Sequence, residues 1–265
     1  IYLQTINAYS KNIVEKNKIN TECLILFLKK LSEKETELCS QLYKRRKYFK
    51  LKPKKYENEF DRRKDFLQLI PMLDKDNKIE EEYINMGAPY WGNRYYYNTM
   101  GIKTQDDIDR LCKCYFDGLK WTFQYYFTEC PSYNWSYNYS YGPCMIDLYN
   151  YIKKTNNFNL NNIKFNKGLV PSPLVQLLSI LPPESAKLLP DTLQYLLLDK
   201  DSPLSMYYPC DYKLNLLFKK YYWMCDPELP IIDLELVKDV INDVKIPTKY
   251  KKRYTRQREY VKNII

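Results

Sequence analysis

Glycine is scarce in this chain: it accounts for 6 of 265 residues, whereas proline occurs 15 times. Glycine supplies the positive-φ conformations on which tight β-hairpins and phosphate-binding loops depend, so both structures are disfavoured here. Helices joined by proline-containing turns need fewer such conformations. We therefore predict a mainly α fold, an irregular multi-helix domain with aromatic-rich loops and at most a short β-hairpin.

Charge and cysteine content narrow the classes of function. The chain carries 42 Lys and Arg against 32 Asp and Glu, a net charge of +10, which suits a polyanionic partner but also fits solvated surface lysines. Because the chain has no histidine, it cannot itself supply a Ser–His or Cys–His mechanism. Its 8 cysteines favour reduced thiols in an intracellular protein, cytoplasmic or nuclear. No apolar run is long enough to predict a membrane span.

Local signals predict where several helices begin. Asn20 or Thr21 is a natural cap for a helix that extends to about Tyr48. This helix ends in the basic run Lys44–Lys55, which could contact phosphate or could simply be a solvated helix end. The same capping rules predict three further helix starts, at Thr104, Ser172 and Asp233.

The domain organisation follows from the distribution of charged and periodic segments. Residues 54–86 are rich in charge and contain only a short amphipathic piece, so a subdivision near 54–104 is left open. The last clearly periodic helix ends near Val244, and the chain is basic from Lys249 onward. We predict one helical domain over residues 1–245 and a basic C-terminal tail over 246–265.

An aromatic stretch from Gly118 to Asp147 carries the most specific functional signal. Its loop places aromatic side chains at alternate positions, namely Tyr133, Trp135, Tyr137, Tyr139 and Tyr141. Buried Tyr and Trp need partners for their O–H and N–H groups, so an ordinary core seldom uses them at this density. A wall on which nucleic-acid bases stack would explain the pattern. An aromatic-rich packing corner would explain it equally well.

The order of several motifs resembles the Xrn family of 5′→3′ exoribonucleases, and within it the helical second conserved region. The resemblance covers roughly residues 5–235. It rests on these segments in sequence order: INTECLILFLKKLSEKETELC, YWGNRYYY, YFDGLKWTFQYYFTECPSYNWSYNYSYGPCMIDL, PSPLVQLLSILPPESAKLLP, LLLDKDSPLSMYYPCDY and LPIID. The resemblance implies the fold of the Xrn helical domain.

The resemblance also implies a role for the aromatic loop, which is similar to the family pattern C-P-S-W-x-W-Y-Y-P-Y-H-Y-A-P. Trp135 falls on the second tryptophan of that pattern, while Tyr133 replaces the first and Ser140 replaces the histidine. We expect Trp135, and after it Tyr133, to stack on RNA bases. Four further residues are expected to form the wall of the pocket: Tyr137, Tyr139, Tyr141 and Pro143.

The chemistry that the resemblance implies belongs to another part of the enzyme. Xrn enzymes degrade RNA bearing a 5′ monophosphate, using divalent metal such as Mg²⁺ held by carboxylates of the first conserved region. Nothing in this chain matches that region, so we expect neither catalytic residues nor metal ligands here. Asp106, Asp107 and Asp117 are interpreted as helix caps and surface charges. The expected partners are 5′-monophosphorylated RNA and a catalytic N-terminal half, in the same or a separate chain.

Two other functions also fit the sequence. The substitutions in the family loop also suit a non-catalytic Xrn-derived subunit, structural or RNA-binding, of a larger cellular or viral assembly. An unrelated helical interaction domain is the third hypothesis.

Overall fold

The computed structural model describes residues 1–9, 11–51 and 54–250. Most of the predicted basic tail over 246–265 therefore lies outside the described residues, and that boundary stays a prediction. The α-helices are α1 Tyr2–Tyr9, α2 Thr21–Lys47, α3 Glu59–Gln68, α4 Ile70–Leu73, α5 Lys75–Ile84, α6 Trp91–Met100, α7 Gln105–Phe127, α8 Met145–Lys154, α9 Pro173–Ile180, α10 Tyr195–Leu198 and α11 Leu234–Asn242. Short 3-10 helices span Leu160–Asn162, Pro183–Leu188, Asp191–Leu193, Ser205–Tyr207 and Tyr222–Met224.

Extended structure within these ranges consists of two antiparallel pairs, each two residues long. Strand β1 (Val14–Glu15) pairs with β2 (Lys18–Ile19), and β3 (Leu214–Asn215) pairs with β4 (Asp226–Pro227). The turn between β1 and β2 uses Lys16 and Asn17 at φ 44° and 59°. Two-residue hairpin turns commonly require such positive φ values. The mainly α fold is confirmed, with one strand pair more than the single hairpin allowed above.

The predicted helix starts are confirmed by their capping bonds. Each cap residue has a side-chain oxygen that accepts a hydrogen bond from a backbone N–H two or three residues further on, at 2.9–3.4 Å. The four residues are Asn20, Thr104, Ser172 and Asp233. Each such cap typically contributes about 1 kcal/mol to stability.

Two compact units are defined by contacts along the described chain. The first consists of Ile1–Gly168 together with Leu216–Cys225, and the second of Leu169–Asn215 together with the chain from Asp226 onward. In the first unit, apolar side chains of α2, α7 and α8 form the main core cluster. Its buried members are Ile19, Leu24, Leu28, Cys112, Phe116, Phe123, Leu148, Ile152 and Leu160.

The second unit has its own core. Helix α9 packs against α11, and leucines from the short helices between Pro183 and Leu198 complete the cluster. Its fully buried members include Leu178, Leu193, Leu196, Leu204 and Val237. Many short helices provide this packing because closely spaced prolines prevent long ones.

A buried ion pair in the first unit joins α2 to α5. Arg46 and Glu81 have side chains only 6% exposed, and the guanidinium donates from Nε at 2.9 Å and from Nη2 at 2.5 Å to the carboxylate. Arg46 Nη1 also donates to the carbonyl of Lys219 at 2.8 Å, and the N–H of Phe218 donates to Glu81 Oε1 at 3.4 Å. The basic run at the end of α2 was expected to be solvated or to contact phosphate. Arg46 does neither, because its side chain is buried and pairs with Glu81.

Candidate functional site

The aromatic loop, residues 128–144, joins α7 to α8 and is anchored at its start by Ser132. This residue is buried, and its Oγ accepts from the N–H of Asn134 at 3.3 Å and of Trp135 at 3.2 Å. Its carbonyl accepts from Nε1 of Trp121 on α7 at 2.9 Å. The N–H of Tyr133 donates to the carbonyl of Lys167 at 2.8 Å. These bonds fix the backbone from Ser132 to Trp135.

Trp135 is half-buried and belongs to a row of stacked rings. Its indole lies 6.0 Å from that of Trp121 with an interplanar angle of 26°, and Trp121 stacks in turn on Tyr125 at 5.2 Å and 9°. Phe165 meets Trp135 edge-on at 5.9 Å. The indole also lies close over Gly118, where an added Cβ would come within 3.0 Å of Cη2. Gly118 therefore sets how closely Trp135 approaches α7.

Two open cavities meet at Trp135. The first, here called the amide cavity, has a volume of about 690 Å³. Its lining includes the rings of Trp135 and Phe116 and the side chains of Asn134, Asn156 and Asn162. The second, here called the apolar cavity, has a volume of about 530 Å³. Its lining includes Trp135, Tyr137, Ile13, Leu119 and Phe123. Trp135 is thus accessible from an amide-rich side and from an apolar side.

The other predicted stacking residue, Tyr133, is more exposed than Trp135. Its side chain is 37% exposed, and its ring makes no close contact with another ring of the described residues. The four residues predicted to form a pocket wall face inward. Tyr137 meets Tyr115 edge-on at 6.2 Å and its hydroxyl donates to the carbonyl of Tyr141 at 2.7 Å. Burial raises the pKa of Tyr137 above its ordinary value.

The inward orientation follows from the alternation of the loop. Tyr139 packs against Tyr137 at 5.6 Å, Tyr141 meets Tyr95 edge-on at 6.0 Å, and Pro143 is buried. The intervening polar residues face water, namely Asn134, Ser136, Asn138 and Ser140. In an extended segment alternate side chains point to opposite sides. The Asn and Ser at every second position are the sequence signal that could have predicted which side faces the solvent.

Three residues that the sequence analysis did not single out hold the far end of the loop. Tyr95 Oη donates to the carbonyl of Gly142 at 2.8 Å. Tyr96 Oη donates to Asp147 Oδ2 at 2.6 Å and accepts from the N–H of Cys144 at 2.7 Å. Burial raises the pKa of both tyrosines, so both remain neutral donors at physiological pH.

The third positioning residue is Glu35 on α2. Its carboxylate accepts from the N–H of Met145 at 2.6 Å and of Ile146 at 3.1 Å, the first residues of α8. Desolvation raises the pKa of Glu35, and the two backbone donors partly offset that rise. A carboxylate at a helix N-terminus is favoured by the exposed N–H groups and the helix dipole. Glu35 therefore fixes the position at which the loop enters α8.

The carboxylates of α7 do not assemble into a metal centre. Asp107 accepts from Thr104 Oγ1 at 2.6 Å and pairs with Arg110, while Asp117 pairs with Lys113 at 3.0 Å. Asp106 lies in the first turn of the helix. Within residues 1–9, 11–51 and 54–250, no three Cys, Asp or Glu side chains come together as a metal site would require. Mg²⁺ needs several converging oxygen ligands, so this donor set does not fit it.

Comparison with known proteins identifies the family. The family model of the Xrn1 helical domain matches residues 7–262. The 5′–3′ exoribonuclease 2 of Cryptococcus neoformans is 33% identical over 155 residues, 58% of this chain and 13% of that protein. Its counterpart in Aspergillus oryzae is 31% identical over 186 residues, 69% of this chain and 17% of that protein. The counterpart in Saccharomyces cerevisiae is 32% identical over 157 residues, which is 58% of this chain and 15% of that protein.

The chain belongs to the Xrn helical-domain family. It spans 13 to 17% of the length of these curated relatives. None of the eight cysteines, all of which lie within the described residues, forms a disulfide. None of the helices in the described ranges combines the length and the apolar character needed to cross a bilayer.

Proposed function

We propose that this chain is the helical part of a 5′→3′ exoribonuclease that acts on RNA bearing a 5′ monophosphate. In this proposal Trp135 offers its ring to a base of the RNA, with Tyr133 beside it, and the aromatic loop forms the adjoining pocket wall. The observation that carries the proposal is the placement of Trp135. Its backbone N–H donates to Ser132 Oγ and its indole stacks on Trp121, yet the residue lines two open cavities. Because the proposed substrate is RNA and none of the eight cysteines forms a disulfide, we also propose an intracellular location, cytoplasmic or nuclear.

Hydrolysis is assigned to a catalytic N-terminal half outside this chain, on the same polypeptide or a separate one. That half would hold Mg²⁺, which supplies a polarising charge for phosphodiester hydrolysis. The assignment is supported by the described residues, among which no three Cys, Asp or Glu side chains come together as a metal site would require. What this chain's residues do is hold the RNA end: the ring of Trp135 stacks, and Glu35, Tyr95 and Tyr96 keep its loop in place.

Replacing Trp135 by alanine tests this role. Loss of one stacked base costs roughly 1–3 kcal/mol, so Trp135→Ala is expected to weaken binding of single-stranded RNA about 5- to 150-fold. Fluorescence anisotropy with a labelled oligonucleotide measures the change, and circular dichroism checks the fold. Trp223→Ala is the control, because Trp223 is an indole 73% exposed that lines neither cavity. Equal losses of RNA-binding affinity for Trp135→Ala and Trp223→Ala would contradict the role of Trp135 in stacking on a base.

The position of the indole can be tested without removing it. Gly118→Ala places a methyl group 3.0 Å from the ring, tighter than an ordinary contact, and is expected to weaken RNA binding about 2- to 10-fold by shifting the stacking face. Gly92→Ala is the matched control, since its new methyl group would lie at an ordinary 3.8 Å from Cys144 Sγ. Unchanged binding by both variants would show that the contact over Gly118 does not position Trp135 for RNA.

A non-catalytic function is the second candidate: an Xrn-derived structural or RNA-binding subunit of a larger assembly. Ser140 favours it, because this exposed residue stands where the resembling family loop has histidine. The two candidates differ in one assay. Protein recovered from its native source together with its partners should digest 5′-monophosphorylated RNA in Mg²⁺ if the chain serves an exoribonuclease. The same recovered assembly should bind RNA without digesting it if the second candidate is correct.

A further inference from the structure

Helix α3 (Glu59–Gln68) has no buried residue along its whole length. Isolated helices shorter than about 12–15 residues are marginal in water, and in proteins most helical stability comes from the packing of an apolar face. Helix α3 has the side chains that such a face requires, since Phe60, Phe66 and Leu67 are large, apolar and exposed. The helix therefore presents an apolar surface that the described part of the chain leaves uncovered.

The 3-10 helix Tyr222–Met224 extends this surface. It packs against α3, and all three of its side chains are exposed. Trp223 is 73% exposed, yet its ring lies in a parallel stack on Tyr221, at 5.9 Å and 12°. The chain just before it is anchored to α2, because Arg46 Nη1 donates to the carbonyl of Lys219. Tryptophan is enriched at the energetic centres of protein interfaces, so an exposed indole on an anchored segment indicates a docking position.

An open cavity lies between α3 and the chain that precedes it. Its volume is about 610 Å³. Three apolar or aromatic side chains, three cations and one carboxylate line it, namely Leu51, Tyr56 and Phe66, then Lys54, Arg62 and Arg63, and Glu59. The cavity thus combines apolar side chains with an excess of positive charge.

The carboxylates of this surface are already paired within the chain. Glu59 pairs with Arg62 at 2.6 Å, and Asp65 pairs with Lys54 at 2.7 Å. Other cations beside them form no ion pair with any described residue, namely Arg63, Lys64 and Lys220. Positive charge therefore remains available next to the exposed apolar side chains, and complementarity favours a partner that carries carboxylates.

We propose that α3 and the 3-10 helix Tyr222–Met224 form a docking surface for an acidic, apolar segment of a partner protein. The apolar side chains of that segment cover Phe60 and Trp223, and its carboxylates pair with cations such as Arg63. Aromatic residues, Met and Arg are enriched in protein interfaces, and this surface carries all three. The inference is independent of the proposed function, since it does not require RNA at Trp135.

A nucleic acid fits this surface less well than a protein segment does. Part of the apolar area comes from side chains that offer no flat ring on which a base could stack, namely Leu51, Leu67 and Met224. A phosphate backbone also carries a charge at every nucleotide, and Glu59 and Asp65 would repel it. A peptide can instead place its carboxylates only opposite the cations.

Selection of a phage-displayed library of random peptides on the full chain tests the chemistry of the partner. The selected peptides are expected to be rich in Asp and Glu and in Leu, Phe and Trp. Fluorescence anisotropy with labelled synthetic copies should show at least about 10-fold weaker binding for Trp223→Ala and for Phe60→Ala. Arg63→Glu should weaken binding and reduce its dependence on salt. Tyr126→Ala is the matched control, since this aromatic side chain is 76% exposed but lies on α7, where it lines the apolar cavity.

Several results would overturn the docking surface. It is rejected if no peptide is selected, if the selected peptides are neutral or basic, or if Tyr126→Ala weakens their binding while Trp223→Ala does not. Displacement of the peptides by oligouridylate would show that this surface takes RNA. A dimer that Trp223→Ala dissociates in sedimentation would show that it takes a second copy of this chain. Thermal unfolding of each variant checks the fold. Because the peptide assay contains no RNA, its failure is distinguishable from a failure of the proposed function.

Discussion

Glu81→Ala is expected to lower the free energy of unfolding by about 3–5 kcal/mol, because it leaves the buried guanidinium of Arg46 without its counter-ion. The pair is bidentate and 6% exposed on both sides. The variant also leaves the N–H of Phe218 and the side-chain amide of Asn77 without the carboxylate oxygen they share. Urea denaturation followed by circular dichroism measures the loss.

The neighbouring residue provides a matched control for this prediction. Glu82 pairs with Lys47 at 3.3 Å, but these side chains are 57% and 39% exposed, and exposed pairs contribute at most about 1 kcal/mol. Glu82→Ala should therefore cost far less than Glu81→Ala. The double variant Arg46→Met with Glu81→Leu should cost less than Glu81→Ala alone, since it leaves no unpaired buried charge. Similar losses of unfolding free energy for Glu81→Ala and Glu82→Ala would contradict the conclusion that Arg46 and Glu81 form a buried ion pair.

Phe116→Ala is expected to lower the free energy of unfolding by about 3–5 kcal/mol, because it opens a cavity in the core of the first unit. Phe116 is 1% exposed, and its ring packs on Phe158 at 4.9 Å and on Tyr151 at 5.9 Å. The same denaturation experiment applies. Phe60→Ala serves as the control, since its side chain is 74% exposed and its removal should change stability by no more than about 0.5 kcal/mol. A small loss for Phe116→Ala would mean that the surrounding helices can close the space.

The elements that the sequence predicted well depend on local chemistry. The caps at Asn20, Thr104, Ser172 and Asp233 need only a short polar side chain at the right spacing from a periodic run, and all four form as predicted. The family could be predicted from the order of its motifs. The match of the family model over residues 7–262 confirms that prediction.

The contacts that the sequence did not predict connect distant residues. Arg46 meets Glu81 across 35 positions and the Lys219 carbonyl across 173, and Glu35 meets Met145 across 110. No local pattern distinguishes such a charged residue from a solvated one, because its burial depends on the packing of the whole unit. The sequence also shows the alternation of the aromatic loop, but the aromatic positions by themselves do not determine which side of an extended segment faces the interior. The intervening Asn and Ser residues carry that information. The roles of Trp135 and Tyr133 stay predictions.

The return of Leu216–Cys225 to the first unit has a consequence for biosynthesis. These residues leave the ribosome only after all of Leu169–Asn215, yet they supply Leu217 to the cluster around Tyr43 and Ile84 and the carbonyl that Arg46 engages. The first unit of a nascent chain therefore cannot complete its folding until these residues are synthesised. A stop codon placed after Gly168 would release a protein whose first unit lacks Leu216–Cys225. A shortened protein for laboratory work needs those ten residues rejoined through a linker.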